Sequence, residues 1–172
     1  MKITSSKTVY SSSIFTIKDI SVDTVVGPKI FQVLDKSDSV VIFAINDKRE
    51  VLFVREFFTA LGAYGLALPG GKLDTGHTPE DVARKELQEE VGFDADRITP
   101  LGVVTISPGY ITQKTHLFLA QELTPKKLVG DEPEELEVVP VPFDDIEAKI
   151  QSGEIHEARD IATYFLAKKK LS

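Results

Sequence analysis

The chain has 172 residues, 42% of them hydrophobic, and a formal net charge of −7. That length suits one domain with a substantial core, and the acidic balance argues against a nucleic-acid partner, which clustered Lys and Arg would hold. Cysteine is absent, which excludes disulfides and thiolate metal sites; no apolar run approaches the roughly 20 residues of a membrane span. The opening MKITSSKTVYSSSIF lacks the apolar stretch of a signal peptide, so no membrane partner and a cytoplasmic location are expected.

In chain order, residues 7–10 and 15–22 read as short strands split by Ser11-Ser12-Ser13. Gly27-Pro28 marks a turn, and Ile30–Leu34 reads as a third strand. Residues 1–38 are therefore expected to form a small N-terminal β-lobe, with a polar joint at Asp35–Asp38 leading to a main domain over 39–172. Val40–Ile45 and Val51–Val54 are continuous apolar runs suited to buried strands, and residues 66–68 form a brief one ended by Pro69-Gly70-Gly71. Thr78 is placed to cap a helix, with Pro79 at its first position and Asp81 completing a capping-box pair. Gly92 is placed to stop that helix, and Ala83, Leu87 and Val91 make its apolar stripe. Strands at Leu101–Ile106, Thr115–Gln121 and Glu137–Val141 follow, then helices over 143–151 and 156–169. The alternation implies an α/β sandwich with a mixed sheet.

The chemistry concentrates in residues 70–93, GGKLDTGHTPEDVARKELQEEVGF. At 3.6 residues per turn, Glu86, Glu89 and Glu90 fall within a wedge of about 100°. Charged helix faces often produce such a triple, so alone it is weak. Here it follows a strand, a Gly-Gly turn and a capped helix start, and Glu86 with Glu90, one turn apart, can share a hard cation. The Gly70 carbonyl at the strand end can add an oxygen. Mg²⁺, which takes a few carboxylates and fills its shell with waters and substrate phosphates, suits this set.

The segment resembles the signature of the Nudix hydrolases, G-x5-E-x7-R-E-U-x-E-E-x-G-U with U apolar. Gly71, Glu86, Leu87, Glu89, Glu90, Gly92 and Phe93 agree with it; His77 stands where the family has Glu, and Lys85 where it has Arg. Residues 106–120, ISPGYITQKTHLFLA, look like the corresponding part of the ADP-ribose pyrophosphatase branch. Gly130–Val139 and His156-Glu157-Ala158-Arg159 look closest to its bacterial ADP compounds hydrolase group. The resemblance covers about residues 40–170, and the N-terminal strands also suit that branch.

The resemblance implies a Nudix-type α/β/α sandwich, Mg²⁺ with Mn²⁺ able to substitute, a small-molecule nucleotide substrate, and a homodimer in which N-terminal strands reach across to the partner. By position it makes Glu86 and Glu90 metal ligands with Gly70 supplying a backbone oxygen, while Glu89 binds a further metal or handles a proton. In the acidic loop, Glu132 becomes a candidate general base and Glu134 a candidate ligand, with Glu135 also in contention. Arg55, at a strand end, reads either as a bidentate phosphate contact or as the partner of a surface acid. Tyr110 reads either as a platform for a base or as a loop tyrosine packed on the core. His116 reads as structural and His156 as a surface residue.

The expected activity is Mg²⁺-dependent hydrolysis of the pyrophosphate bond of ADP-ribose or a related nucleoside diphosphate derivative, such as a nucleotide sugar or dinucleotide. The alternative is a Nudix-fold nucleotide-binding protein with weak or no hydrolysis, favoured by His77 and Lys85 and opposed by the intact glutamates. Sanitisation of damaged nucleoside triphosphates fits the box but not the flanking sequence.

Overall fold

The computed structural model describes residues 1–130 and 134–171. They fall into two compact units, Met1–Asp38 with Thr105–Lys114, and Ser39–Val104 with Thr115–Ser172.

The first unit is built on an antiparallel meander of β1 (Lys2–Ser11), β2 (Thr16–Thr24) and β3 (Gly27–Asp35). The Ser12 hydroxyl makes the first turn, accepting from the Ile14 and Phe15 N–H groups and donating to the Phe15 carbonyl. The second turn is not at Gly27-Pro28 as expected: Thr24 pairs with Gly27, leaving Val25-Val26 as the two-residue connection. Thr24 takes over the role of a turn-forming side chain, its hydroxyl donating to the Gly27 carbonyl and accepting from Val26 N–H. At the end of β3, Asp35 is held by Lys18 and by Thr112, whose hydroxyl donates at 2.8 Å. The Lys18 and Thr112 hydrogen bonds hold the Asp35 carboxyl below the usual range.

The second unit carries two sheets. One orders β10 (Glu137–Pro142), β5 (Glu50–Phe58) and β6 (Ala63–Ala67), all antiparallel. The other orders β7 (Gly70–Lys72), β4 (Ser39–Ala44), β9 (Lys114–Pro125) and β8 (Phe93–Thr105). β4 runs parallel to β9 and antiparallel to β7, which is the mixed sheet expected.

Continuous apolar runs imply strands buried on both faces, and side chains on a strand alternate between faces. Val41, Phe43, Leu117 and Leu119 accordingly join one core cluster, with Ile146, Tyr164 and Ala167. Val40, Ile42, Phe118 and Ala120 join the other, with Val82, Ala83, Leu87 and Val91. The first cluster thus includes α2 (Ile146–Ser152) and α3 (Ala158–Leu171), and the second includes α1 (Pro79–Glu86) with the turn that continues it. The layering is α/β/α. Leu87 is fully buried, so replacing it by Ala costs about 2–5 kcal/mol.

Several strands run longer than the apolar runs that announce them, because pairing extends into polar residues. β5 continues through Arg55 and Glu56 to Phe58, and β8 begins directly after Gly92. Residues 143–145 form a separate 3₁₀ turn ahead of α2.

Candidate active site

The site begins at the cap of α1. Thr78 adopts extended backbone angles; its hydroxyl accepts from Asp81 N–H at 3.2 Å, and the Asp81 carboxylate accepts from Thr78 N–H at 3.3 Å. The hydrogen bonds from Thr78 hold the Asp81 carboxyl below its ordinary range. With Asp81 committed to the cap, Lys85 pairs forward with Glu89 at 2.8 Å. Arg84 fastens the helix to the next strand, reaching Asp94 at 3.2 Å and the Ala95 carbonyl at 2.7 Å.

The three box glutamates do not sit on one regular helix. α1 is α-helical only to Glu86, and Leu87–Val91 form a π turn closed by the Gly92 N–H on the Leu87 carbonyl. Gly92 takes the left-handed angle that lets this wider turn end, with φ 79°. Residues 126 and 128 complete the exit: Leu128 N–H donates to the Gln88 carbonyl and Lys126 N–H to the Gly92 carbonyl. Segment 126–130 is thereby laid beside this turn.

Glu90 is buried, 7% exposed, and its carboxylate accepts the Gly70 N–H at 2.9 Å. Glu86 lies against Gly71: a Cβ there would fall 2.1 Å from Glu86 Oε1. The glycine pair that opens β7 therefore admits both carboxylates, one through its missing side chain and one through its backbone donor. Glu86, Glu89 and Glu90 line a cleft of about 360 Å³ together with Lys127, Glu134 and Leu136.

The donor set suits a hard divalent cation, since it offers carboxylate oxygens beside a backbone strand end. Among the described residues no cluster of three acidic or histidine groups forms a closed metal cage. The residues fit an ion that keeps waters and phosphate oxygens in its shell.

Glu134 reaches the cleft from the acidic loop, and the Tyr64 hydroxyl donates to its two oxygens at 3.0 and 3.1 Å. That hydrogen bond pushes the Tyr64 hydroxyl's pKa up. Glu132, the candidate base, lies outside the described residues. Arg55 stands opposite Glu137 on the neighbouring strand and pairs with it at 2.9 Å, which is the surface-acid arrangement. Tyr110 is an exposed residue of the first unit, its carbonyl accepting from Leu34 N–H. His156 is exposed two residues ahead of α3, its ring edge-on to Phe58.

The structure thus brings together Glu86, Glu89, Glu90, Gly70 and Glu134. Lys127, Leu128 and Tyr64 were missed by the sequence reading. The Lys126-Lys127 pair after an apolar strand was the available signal for the first, but nothing local joins Lys127 and Leu128 to a helix more than 30 positions earlier, or Tyr64 to Glu134, 70 positions later.

A strand opened by two glycines against the carboxylates of a capped helix and its π turn, all at one cleft, defines a class, and the chain belongs to the NUDIX family: the NUDIX domain matches residues 35–161. It is a Nudix pyrophosphohydrolase, of a family that generally uses divalent metal. Among its relatives, it is 30% identical over 168 residues to the ADP compounds hydrolase NudE of Escherichia coli (strain K12), covering 96% of this chain and 90% of the relative. It is 31% identical over 167 residues to the ADP-ribose pyrophosphatase of Bacillus subtilis (strain 168), covering 92% and 90%. A crystal structure of an ADP compounds hydrolase superposes with a TM-score of 0.90 at 29% identity, covering 99% of this chain and 93% of that one.

Proposed function

We propose that the protein hydrolyses the pyrophosphate bond of ADP-ribose or a related nucleoside diphosphate derivative, with Mg²⁺ as its metal and Mn²⁺ able to substitute. The observation that carries this reading is the meeting of Glu86, Glu89 and Glu90 in one cleft with Glu134. Glu86 and Glu90, with the Gly70 carbonyl, would hold the metal. When bound, the metal supplies charge neutralisation on the phosphates and a more acidic water. A carboxylate takes a proton from the attacking water as its oxygen bonds to one phosphorus, and the bridging P–O bond breaks, its electrons leaving with the departing phosphate. Glu132 is the first candidate for that base and Glu134 the second, with Glu89 next. With ADP-ribose the products are AMP and ribose 5-phosphate.

Lys85 offsets the charge of Glu89 in the free protein, and Arg55 would leave Glu137 to contact phosphate. Tyr110 would stack on the base. The exposed Ile3, Val9, Tyr10, Ile30 and Phe31 of the N-terminal strands favour a homodimer, as does the free edge of a strand at the end of a sheet; light scattering should give twice 19.0 kDa. The acidic surface fits a cytoplasmic protein with neither nucleic-acid nor membrane partner.

The test is phosphate release, after coupled phosphatase treatment, across ADP-ribose, nucleotide sugars, dinucleotides and nucleoside triphosphates, with and without Mg²⁺. Metal-dependent turnover of the diphosphate derivatives is expected. Turnover confined to triphosphates, or tight binding without hydrolysis, would overturn the assignment.

A further inference from the structure

Asp160 is a carboxylate that the reaction does not use, and it is 3% exposed. It sits in the first turn of α3, beneath the face of the sheet that α1 does not cover. Its Oδ2 accepts the Leu68 N–H at 3.1 Å. Leu68 follows β6 and precedes Pro69-Gly70-Gly71. From there the backbone is fixed twice more: the Pro69 carbonyl accepts Ile42 N–H at 2.8 Å, and Gly70 N–H donates to Glu90.

We propose that Asp160 is a positioning residue for Glu90, acting through Leu68 to fix the glycine turn that holds that carboxylate at the cleft. An apolar side chain in its place would leave Leu68 N–H buried without an acceptor. The hydrogen bonds left on this segment would then run to β4 and to Glu90. Those anchors lie along the strand or toward the cleft, so the Asp160 hydrogen bond, beside the packing of the Leu68 side chain, ties the segment to α3 behind the sheet. A buried acid in place of a neutral group is costly in a core, and burial followed by the charge of Glu157 pushes its pKa well above the usual range. Packing alone does not account for its presence. The Glu157 carboxylate, in turn, accepts the Asp160 and Arg159 N–H groups at 3.2 and 2.9 Å, fixing the first turn of α3 from which Asp160 projects.

The inference rests on the proposed role of Glu90, so the test includes a measurement that needs no turnover. Asp160→Leu keeps the branched shape and removes the acceptor; Asp160→Asn keeps an acceptor oxygen. Amide hydrogen exchange of the metal-free proteins, Mn²⁺ binding followed by electron paramagnetic resonance, and kinetics with ADP-ribose would be compared. In Asp160→Leu, exchange at Leu68 and Gly70 should quicken at least tenfold while the rest of the sheet is unchanged. Mn²⁺ affinity should fall several-fold, and kcat should fall about tenfold with KM within twofold of wild type. Asp160→Asn should restore all three. Wild-type exchange at Gly70 in Asp160→Leu, uniform quickening across the sheet, or Asn as impaired as Leu would each overturn the proposal. Should Asp160→Leu fail to fold, Asp160→Ala takes its place. Should both fail, a Leu68 amide in the wild-type protein that exchanges as fast as an exposed loop overturns it. If no substrate is turned over, the functional reading fails while exchange and Mn²⁺ binding still decide the role of Asp160.

Discussion

Two glutamates of similar sequence standing are held at the cleft by different means. Glu90 is kept in place by a hydrogen bond from Gly70, whereas Glu86 occupies space that exists only because residue 71 has no side chain. Glu90→Gln retains an oxygen for the Gly70 N–H, so the fold should persist while an anionic donor is lost. We expect turnover to fall at least about 10- to 100-fold in Glu90→Gln and in Glu86→Gln, with circular dichroism unchanged; full turnover by folded Glu90→Gln would remove it from the metal site. Gly71→Ala should displace Glu86 without unfolding the chain, because the colliding atom ends a flexible side chain. Its melting temperature should stay within a few degrees of wild type while activity drops about tenfold or more. A fully active Gly71→Ala would mean that Glu86 works from another rotamer. The sequence shows that Gly71, Glu86 and Glu90 belong together, but not how. Nor does it show that Lys85 pairs forward with Glu89, one turn on, while Asp81 closes the helix cap.

At the scale of elements, the helix start is readable because a cap is local: Thr78, Pro79 and Asp81 act within one turn. Its stop at Gly92 is readable for the same reason. The π turn between is not, since the apolar spacing of Ala83, Leu87 and Val91 suits a regular helix equally well. What permits it is tertiary: the carbonyls of Gln88 and Gly92 find donors on Leu128 and Lys126. The Val25-Val26 connection is similarly opaque, because Gly27-Pro28 carries the stronger turn composition yet is used to begin a strand. Gly92→Ala tests the π turn directly. The left-handed angle disfavours a Cβ by roughly 1–2 kcal/mol, and that Cβ would approach Lys127 Cδ at 3.2 Å. For a chain of this length that corresponds to a melting temperature lower by about 2–8 °C, with activity reduced as well, since Glu89 and Glu90 lie in the turn. Calorimetry showing no change would place the helix stop elsewhere.

For the whole molecule, the layering was readable in runs such as Val40–Ile45, whose unbroken apolarity announces burial on both faces, whereas the packing of α3 behind the glycine turn was not. The Asp160–Leu68 contact joins residues 92 positions apart, and no periodicity reports it. Its consequence is a pH dependence of stability. Burial first, then the charges of Glu157 and Glu56, push the Asp160 pKa well up, against the opposing pull of the Leu68 hydrogen bond and Arg159. A folded pKa above the unfolded one means the folded state binds the proton more tightly. The stabilisation is complete below the unfolded aspartate pKa and is lost as pH rises through the raised folded value. Asp94 and Asp35, both pushed down, act in the other sense, and their contribution is lost only below the ordinary carboxylate range. Asp160→Asn should therefore gain on wild type in chemical denaturation as pH climbs from the ordinary aspartate range through the raised value. Asparagine holds the hydrogen-bond acceptor without a charge to bury. Below the ordinary range the gap between the two proteins should stop changing with pH. Parallel stability profiles across that interval would show that Asp160 titrates alike in the folded and unfolded chain, and that its burial carries no electrostatic cost.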